Sequence, residues 1–334
     1  MAPTDQPLRE QDVGTFSALA LVCRFFCSVA LPRVFERITF SGDMNGNRTQ
    51  ASRKTKWARQ IVANTEPAKS VALYVKECTF VRWDPNKEAK WILFPFATLY
   101  CQAMACMSNI RKVVFSTSFV KKDHWEALAE LKQLDVLEFR FCSFIEDPSD
   151  KELTVRTVML FGTRGSTTTF TLRPIATTSM RSLDADDVEA VLKVVAFRQL
   201  DIDNLVLNQR IFDMEPLLHV FRCLPGLQSV TFGLTKASPL IGKLSLKKLF
   251  TRLHSFTIKG TDFIVPQHDV EVLVSALCDG PGTLPSLEEL NLYFITAGEW
   301  TTTLDVISDR LNGTIIPAFP NRATGKYTTR IEVE

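Results

Sequence analysis

Leu287-Glu-Glu-Leu290-Asn-Leu292 spaces three apolar residues as apolar-x-x-apolar-x-apolar. The same frame returns along the chain. It holds at Leu253-His-Ser-Phe256-Thr-Ile258, Leu227-Gln-Ser-Val230-Thr-Phe232 and Ile202-Asp-Asn-Leu205-Val-Leu207. It holds again at Val155-Arg-Thr-Val158-Met-Leu160, Leu134-Asp-Val-Leu137-Glu-Phe139 and Ile110-Arg-Lys-Val113-Val-Phe115. A weaker eighth match opens at Ser70 and carries Leu73 and Val75. Alternation of side chains makes each run a strand with one apolar face. The starts step by 40, 24, 21, 47, 25, 26 and 34 residues. The two longest steps leave room for a hidden repeat or an insertion, with Thr169-Phe-Thr-Leu172 a candidate in the second.

Four of these steps fall in the roughly 20–29-residue window of leucine-rich repeats. That pattern also wants a short polar residue three positions past the last apolar one, where the chain leaves the sheet and backbone groups need partners. The position holds Cys78, Ser118, Cys142, Thr163, Arg210, Thr235, Thr261 and Ile295, so irregularity is expected at Arg210 and Ile295. Helical spacing appears between the strands, at 121–133, 184–197, 213–223, 240–250, 268–278 and 300–311. Leu224-Pro225 and Leu284-Pro285 mark returns to strand, because proline cannot continue a helix. One strand and one helix per repeat stack into an α/β solenoid, a horseshoe with a parallel sheet on its concave face. The alternative is an ordinary doubly wound α/β domain, which would favour more fully apolar strands.

The 334 residues are 46% hydrophobic and 23% charged, ordinary globular usage that argues against wholesale disorder. A net charge of +2 gives no reason to expect a nucleic-acid partner. The N-terminus lacks a basic segment followed by an apolar run, and the stretch 16–31 is interrupted by Arg24 and too short to span a bilayer. Eight cysteines stand without a CxxC pair, which suits reduced thiols in the cytoplasm or nucleus.

The run from Phe16 to Phe40 is not a repeat of this kind. It reads as a helix over 16–30, a helical turn opened by Pro32 and a strand at 38–40. Leu19, Leu21-Val22-Cys23-Arg24, Phe26, Ala30-Leu31-Pro32-Arg33, Phe35 and Ile38-Thr39-Phe40 resemble the C-terminal half of the F-box of fungal F-box/leucine-rich-repeat proteins. The resemblance covers about a tenth of the chain. It implies docking to the Skp-type adaptor of a cullin-based ubiquitin ligase through Leu19, Leu21, Val22, Cys23, Phe26, Leu31 and Pro32. Family members open with a Leu-Pro-x-Glu-like segment and a first helix, and residues 1–14 offer neither. An α-helical N-terminal cap for the solenoid is the other role open to this segment. The division expected is a partial F-box-like cap over 1–40, a basic loop or linker over 41–60, and an irregular repeat array over 61–334.

Chemistry-bearing motifs are absent from the sequence. His124, His219, His254 and His268 are isolated, and no HExxH, P-loop, GxGxxG or GxSxG occurs. Asp184, Asp186, Asp187 and Glu189 fit the acidic first turn of a helix. No enzyme, cofactor or metal is expected; the expectation is a monomer that binds another protein, with no nucleic acid and no membrane. The outward strand positions would carry Tyr74, Glu138, Arg140, Met159, Thr231, Thr257, Lys259, Asn291 and Tyr293. Tyr74, Arg140 and Tyr293 are the first candidates there, since aromatic residues and arginine dominate interface hot spots.

Overall fold

The structure is a computed structural model. It describes residues 15, 17–18, 24–42, 48–83, 90–144, 151–162, 175–176, 180–186, 191, 200–211, 214–234, 253–264, 289–296 and 326–333. The chain forms two compact units, one of residues 1–155 with 173–175 and the other of 156–172 with 176–334.

In the first unit, helix α1 (Arg24–Val34) leads into strand β1 (Arg37–Ser41). Then come α2 (Arg48–Val62), α3 (Ala68–Ala72), β2 (Glu77–Val81) and α4 (Lys90–Ala105). They are followed by β3 (Lys112–Ser116), β4 (Phe119–Val120), α5 (Lys122–Ala129), β5 (Val136–Arg140) and β6 (Ser143–Phe144). Strands β1, β2, β3 and β5 lie side by side in chain order, all parallel, and β4 pairs with β6. Successive parallel strands joined through helices make a repeat solenoid.

The second unit continues the plan with β7 (Thr157–Phe161), β8 (Ser182–Ala185), β9 (Asn204–Ile211), α6 (Met214–Cys223), β10 (Ser229–Leu234), β11 (Ser255–Ile264), β12 (Glu289–Thr296) and β13 (Lys326–Val333). These seven strands are also parallel neighbours in chain order.

Strand starts share a recurring arrangement. Two consecutive N–H groups converge on one carbonyl of the preceding turn: Lys76 and Glu77 on Glu36, Arg111 and Lys112 on Lys76, Asp135 and Val136 on Arg111. The second unit repeats this with Arg181 and Ser182 on Arg156, and Asp203 and Asn204 on Arg181. The ends of β2, β3 and β5 are also alike. Arg82, Thr117 and Phe141 adopt positive φ (57°, 48° and 52°), and the next residue turns back toward the sheet. There Trp83 Nε1 donates to Phe40 O (2.9 Å), Ser118 Oγ to Phe80 O (3.3 Å) and Cys142 Sγ to Phe115 O (3.2 Å). A polar group thus caps the carbonyl of the previous strand at these three turns.

Apolar side chains of these strands face the helices. Phe40, Phe80, Phe115 and Phe139 form a stack with neighbouring ring centroids 5.5, 5.2 and 5.4 Å apart. Tyr100 of α4 stacks on Phe40 at 4.3 Å, and Trp125 of α5 packs on Phe139. All four phenylalanines are buried.

Seven of the frames read from the sequence carry a strand that begins two residues past the first apolar position. The eighth is corrected. Residues 68–72 are helical, and the strand is Glu77–Val81, in the frame Val75-Lys-Glu-Cys78-Thr-Phe80. Cys78 therefore sits in the strand, and the capping position belongs to Trp83. The 47-residue step does hide a repeat, Met180-Arg-Ser-Leu183-Asp-Ala185. Asp184 accordingly lies in a strand instead of a helix start, while Thr169-Phe-Thr-Leu172 lies outside the described residues, as do 240–250, 268–278 and 300–311. Pairing slips at Arg210 against Gly233 and at Ile295 against Ile264, the two places of expected irregularity.

Two further expectations change. The basic loop over 41–60 is helical from Arg48 onward: Thr55, Ala58 and Ile61 recur at three-residue spacing and are buried, leaving Arg53, Lys56 and Arg59 exposed. Segment 1–40 does not stand apart from the array, because β1 is the first strand of its sheet and Pro32 lies inside α1 instead of opening a turn. No described helix is long and apolar enough to cross a membrane.

Candidate functional site

Alternation along the first unit's strands leaves one sheet face turned away from the helices. It carries Arg37, Thr39 and Ser41 on β1, Glu77, Thr79 and Val81 on β2, Lys112, Val114 and Ser116 on β3, and Val136, Glu138 and Arg140 on β5. Parallel register lines these residues up in rows. In the first row Arg37 opposes Glu77 and pairs with it, Nε to Oε2 at 3.3 Å.

Glu138 occupies the middle row beside Val114 and is only 1% exposed. Lys112 Nζ stands 2.9 Å from Glu138 Oε2, and Arg140 Nε meets Glu138 Oε1. Burial works against the charge on Glu138. Hydrogen bonds from Lys112 and Arg140 and their positive charges outweigh it and hold the carboxyl below its usual range. The buried carboxylate thus acts as an anchor that fixes two cations on the surface.

The other polar groups of the first unit belong to its interior. His124 is buried, edge-on to Phe80 and Phe115, and its Nδ1 accepts the Lys121 N–H at 3.1 Å. Burial lowers its pKa to about 4, so the imidazole is neutral. The Cys78 thiol is pushed well up by burial, then by Cys101 and Glu77; burial also raises Cys101, and it takes Cys142 to about 11. Thiols held protonated in this way are poor nucleophiles and poor metal ligands. Among the described residues no group of three or more His, Cys, Asp or Glu side chains is placed to hold a metal.

Of the residues expected on the outer face, Arg140 is half exposed and Glu138 lies beneath it. Tyr74 is not on the sheet: it follows α3 in a turn, half-buried, because the frame there slips. Thr257 and Asn291 oppose each other on β11 and β12, both buried, with Asn291 Nδ2 donating to Thr257 Oγ1 at 3.3 Å. Lys259 and Tyr293 oppose each other one row before the last pairing that precedes the slip region. Met159 and Thr231 are half-buried strand residues. Of the F-box-like set, Leu19, Leu21, Val22 and Cys23 lie outside the described residues. Phe26 falls within α1, and Leu31 and Pro32 are half-buried in its last turns.

Two surface residues escaped the sequence reading. Lys112 opens β3 in an outward position, opposite Glu77. Phe141, 67% exposed, follows the strand in the positive-φ turn. The only trace of that turn in the sequence is a residue two places past the last inward side chain, filled by Gly162 after β7.

Compared with protein-family models and with curated proteins, the sequence matches none.

Proposed function

We propose that this chain is a non-enzymatic protein-binding module, an irregular leucine-rich-repeat solenoid that presents its sheet face to a partner. The observation that carries this reading is the outer face of the first unit, where a buried Glu138 fixes Lys112 and Arg140 beside an exposed Phe141. The caps formed by Ser118 and Cys142 support the leucine-rich-repeat form, since that repeat turns at a short polar residue in the same place, where Trp83 puts an indole N–H instead. The half F-box resemblance supports a substrate receptor of a cullin ubiquitin ligase, working as a monomer in the cytoplasm or nucleus. The free state of the described cysteines suits those compartments.

A second reading is a stand-alone scaffold in which α1 serves as an N-terminal cap. Direct pairing of β1 with β2 favours it, because it ties the F-box-like segment to the array. Capture of the purified, folded full chain on immobilised Skp-type adaptor separates the two. Micromolar binding is expected for a receptor. Absence of capture by protein that melts cooperatively rules the ligase link out and leaves the scaffold.

A further inference from the structure

Charge on the outer face of the first unit is unevenly matched. Arg37 and Glu77 pair one to one, whereas Lys112 and Arg140 share the single carboxylate of Glu138. That cluster keeps one net positive charge. Arg140 reaches Glu138 through Nε alone, and its Nη1 and Nη2 have no partner among the described residues. The Nη1/Nη2 edge of a guanidinium is a planar fork that fits a carboxylate through two parallel hydrogen bonds. Arg140 is 52% exposed, so this fork is reachable. Lys112 holds one oxygen of Glu138 and Arg140 the other, which sets the fork's position before a ligand arrives.

Phe141 follows directly. It is the most exposed of the large apolar residues described, and its φ of 52° lies where a side chain is strained. The surrounding backbone holds it there: Thr117 N–H donates to Arg140 O at 2.8 Å and Ser143 N–H to Ser118 O at 3.1 Å. Arg82 and Thr117 share that φ at the equivalent turns, so what sets Phe141 apart is an aromatic ring held exposed, where it is of no use to the core.

We propose that Lys112, Glu138, Arg140 and Phe141 form a receptor for an acidic peptide segment, its carboxylate seated on the Arg140 fork and a neighbouring bulky apolar side chain packed on the Phe141 ring. This deepens the binding-module reading and rests on it. One fork and one net charge suit a carboxylate better than a polyphosphate backbone, whose binding rests on many cationic contacts at once.

The test is fluorescence anisotropy with the full chain. The probe is fluorescein-labelled Gly-Ser-Glu-Asp-Leu-Phe-Ser-Gly, set against its Gln-Asn counterpart and a labelled short oligothymidylate. Saturable binding of the acidic peptide is expected, with the amide counterpart weaker by about tenfold or more, the loss expected for a charge-assisted contact. R140Q and F141G should each weaken the acidic peptide several-fold. F141G should also melt above the wild type, because glycine relieves the turn. A Phe141 serving only the fold would not combine lower affinity with higher stability. If R140Q does not fold, R140K keeps a cation against Glu138 while removing the fork, and should bind the peptide more weakly than wild type. The proposal is overturned by equal binding of the amide peptide, by F141G or both Arg140 variants binding like wild type, by an oligothymidylate that binds as well as the peptide, or by no saturation. Any of these results leaves adaptor capture, which uses the N-terminal segment, as a separate test of the module reading.

Discussion

His124 sits in a setting far from its behaviour in water. Its pKa of about 4 in the folded chain stands below the 6.5 of an exposed imidazole, chiefly because burial between Phe80 and Phe115 disfavours the cation. Above pH 6.5 it is neutral whether folded or unfolded and adds no pH dependence. Between pH 6.5 and about 4 the unfolded chain takes up a proton that the native state refuses, so stability falls with pH. At 1.36 kcal/mol per unit the loss reaches about 3 kcal/mol. Urea melts from pH 7 to 4.5 should show that slope in the wild type and a flatter one in H124F. Equal slopes would place the titrating group elsewhere. Glu138 acts in a lower window, since its depressed pKa withdraws stability only as pH falls below the ordinary carboxylate range. The sequence marked His124 only as isolated, because helical spacing tells which side of a helix is buried but not how deeply. Glu138 and Asn291 show the same limit: alternation assigned them to a face and could not tell that they are covered.

At the scale of the element, the turns after β2, β3 and β5 each depend on one polar group. Ser118 Oγ donates to Phe80 O or Ser116 O and accepts from Trp83 N–H, linking two turns. S118A takes the hydroxyl away from Trp83 N–H and Phe80 O, while Ser116 O keeps the Arg82 N–H, and about 1–3 kcal/mol should be lost. C142A should cost less, because a thiol is a weak donor to Phe115 O. Denaturant midpoints of the two variants check the order; equal and negligible effects would mean the capping contacts do not hold the turn. The strands were readable because their apolar frame spans six residues and needs no distant information. Helix α2 was not, since its polar residues 48–54 follow the Gly-Asn-rich stretch of 42–47 and look like a continuation of a loop. Its helicity rests on three residues, Thr55, Ala58 and Ile61, and on ties to other elements through Thr55 with Tyr100 (2.9 Å) and Lys54 with Thr39 O (2.7 Å). Those contacts are tertiary, and local propensity does not encode them.

At the scale of the molecule, the repeat was legible wherever the period stayed regular. It broke where a repeat ended in a small residue: Met180-Arg-Ser-Leu183-Asp-Ala185 closes on alanine, and the gap from Val155 to Ile202 divides into steps of 25 and 22 only once that strand is seen. An array of this kind stacks units that touch only their neighbours, so its energetics should be nearly one-dimensional. The phenylalanine stack of the first unit tests that. Phe80 and Phe115 are in contact at 5.2 Å, while Phe40 and Phe139 have two strands between them. At about 4.8 Å per strand spacing, the outer pair stands roughly 14 Å apart. Double-mutant cycles with Phe→Leu changes should give a coupling of about 0.5–3 kcal/mol for Phe80 with Phe115, and additivity within about 0.5 kcal/mol for Phe40 with Phe139. Leucine keeps the positions apolar and limits the cavity, so the single variants should stay folded. Coupling between Phe40 and Phe139 as large as that of the touching pair would sink the nearest-neighbour picture. The first unit would then respond as one block, and a ligand held at Arg140 and Phe141 would be felt as far away as β1. With additivity, its effect stays within the strands beside it.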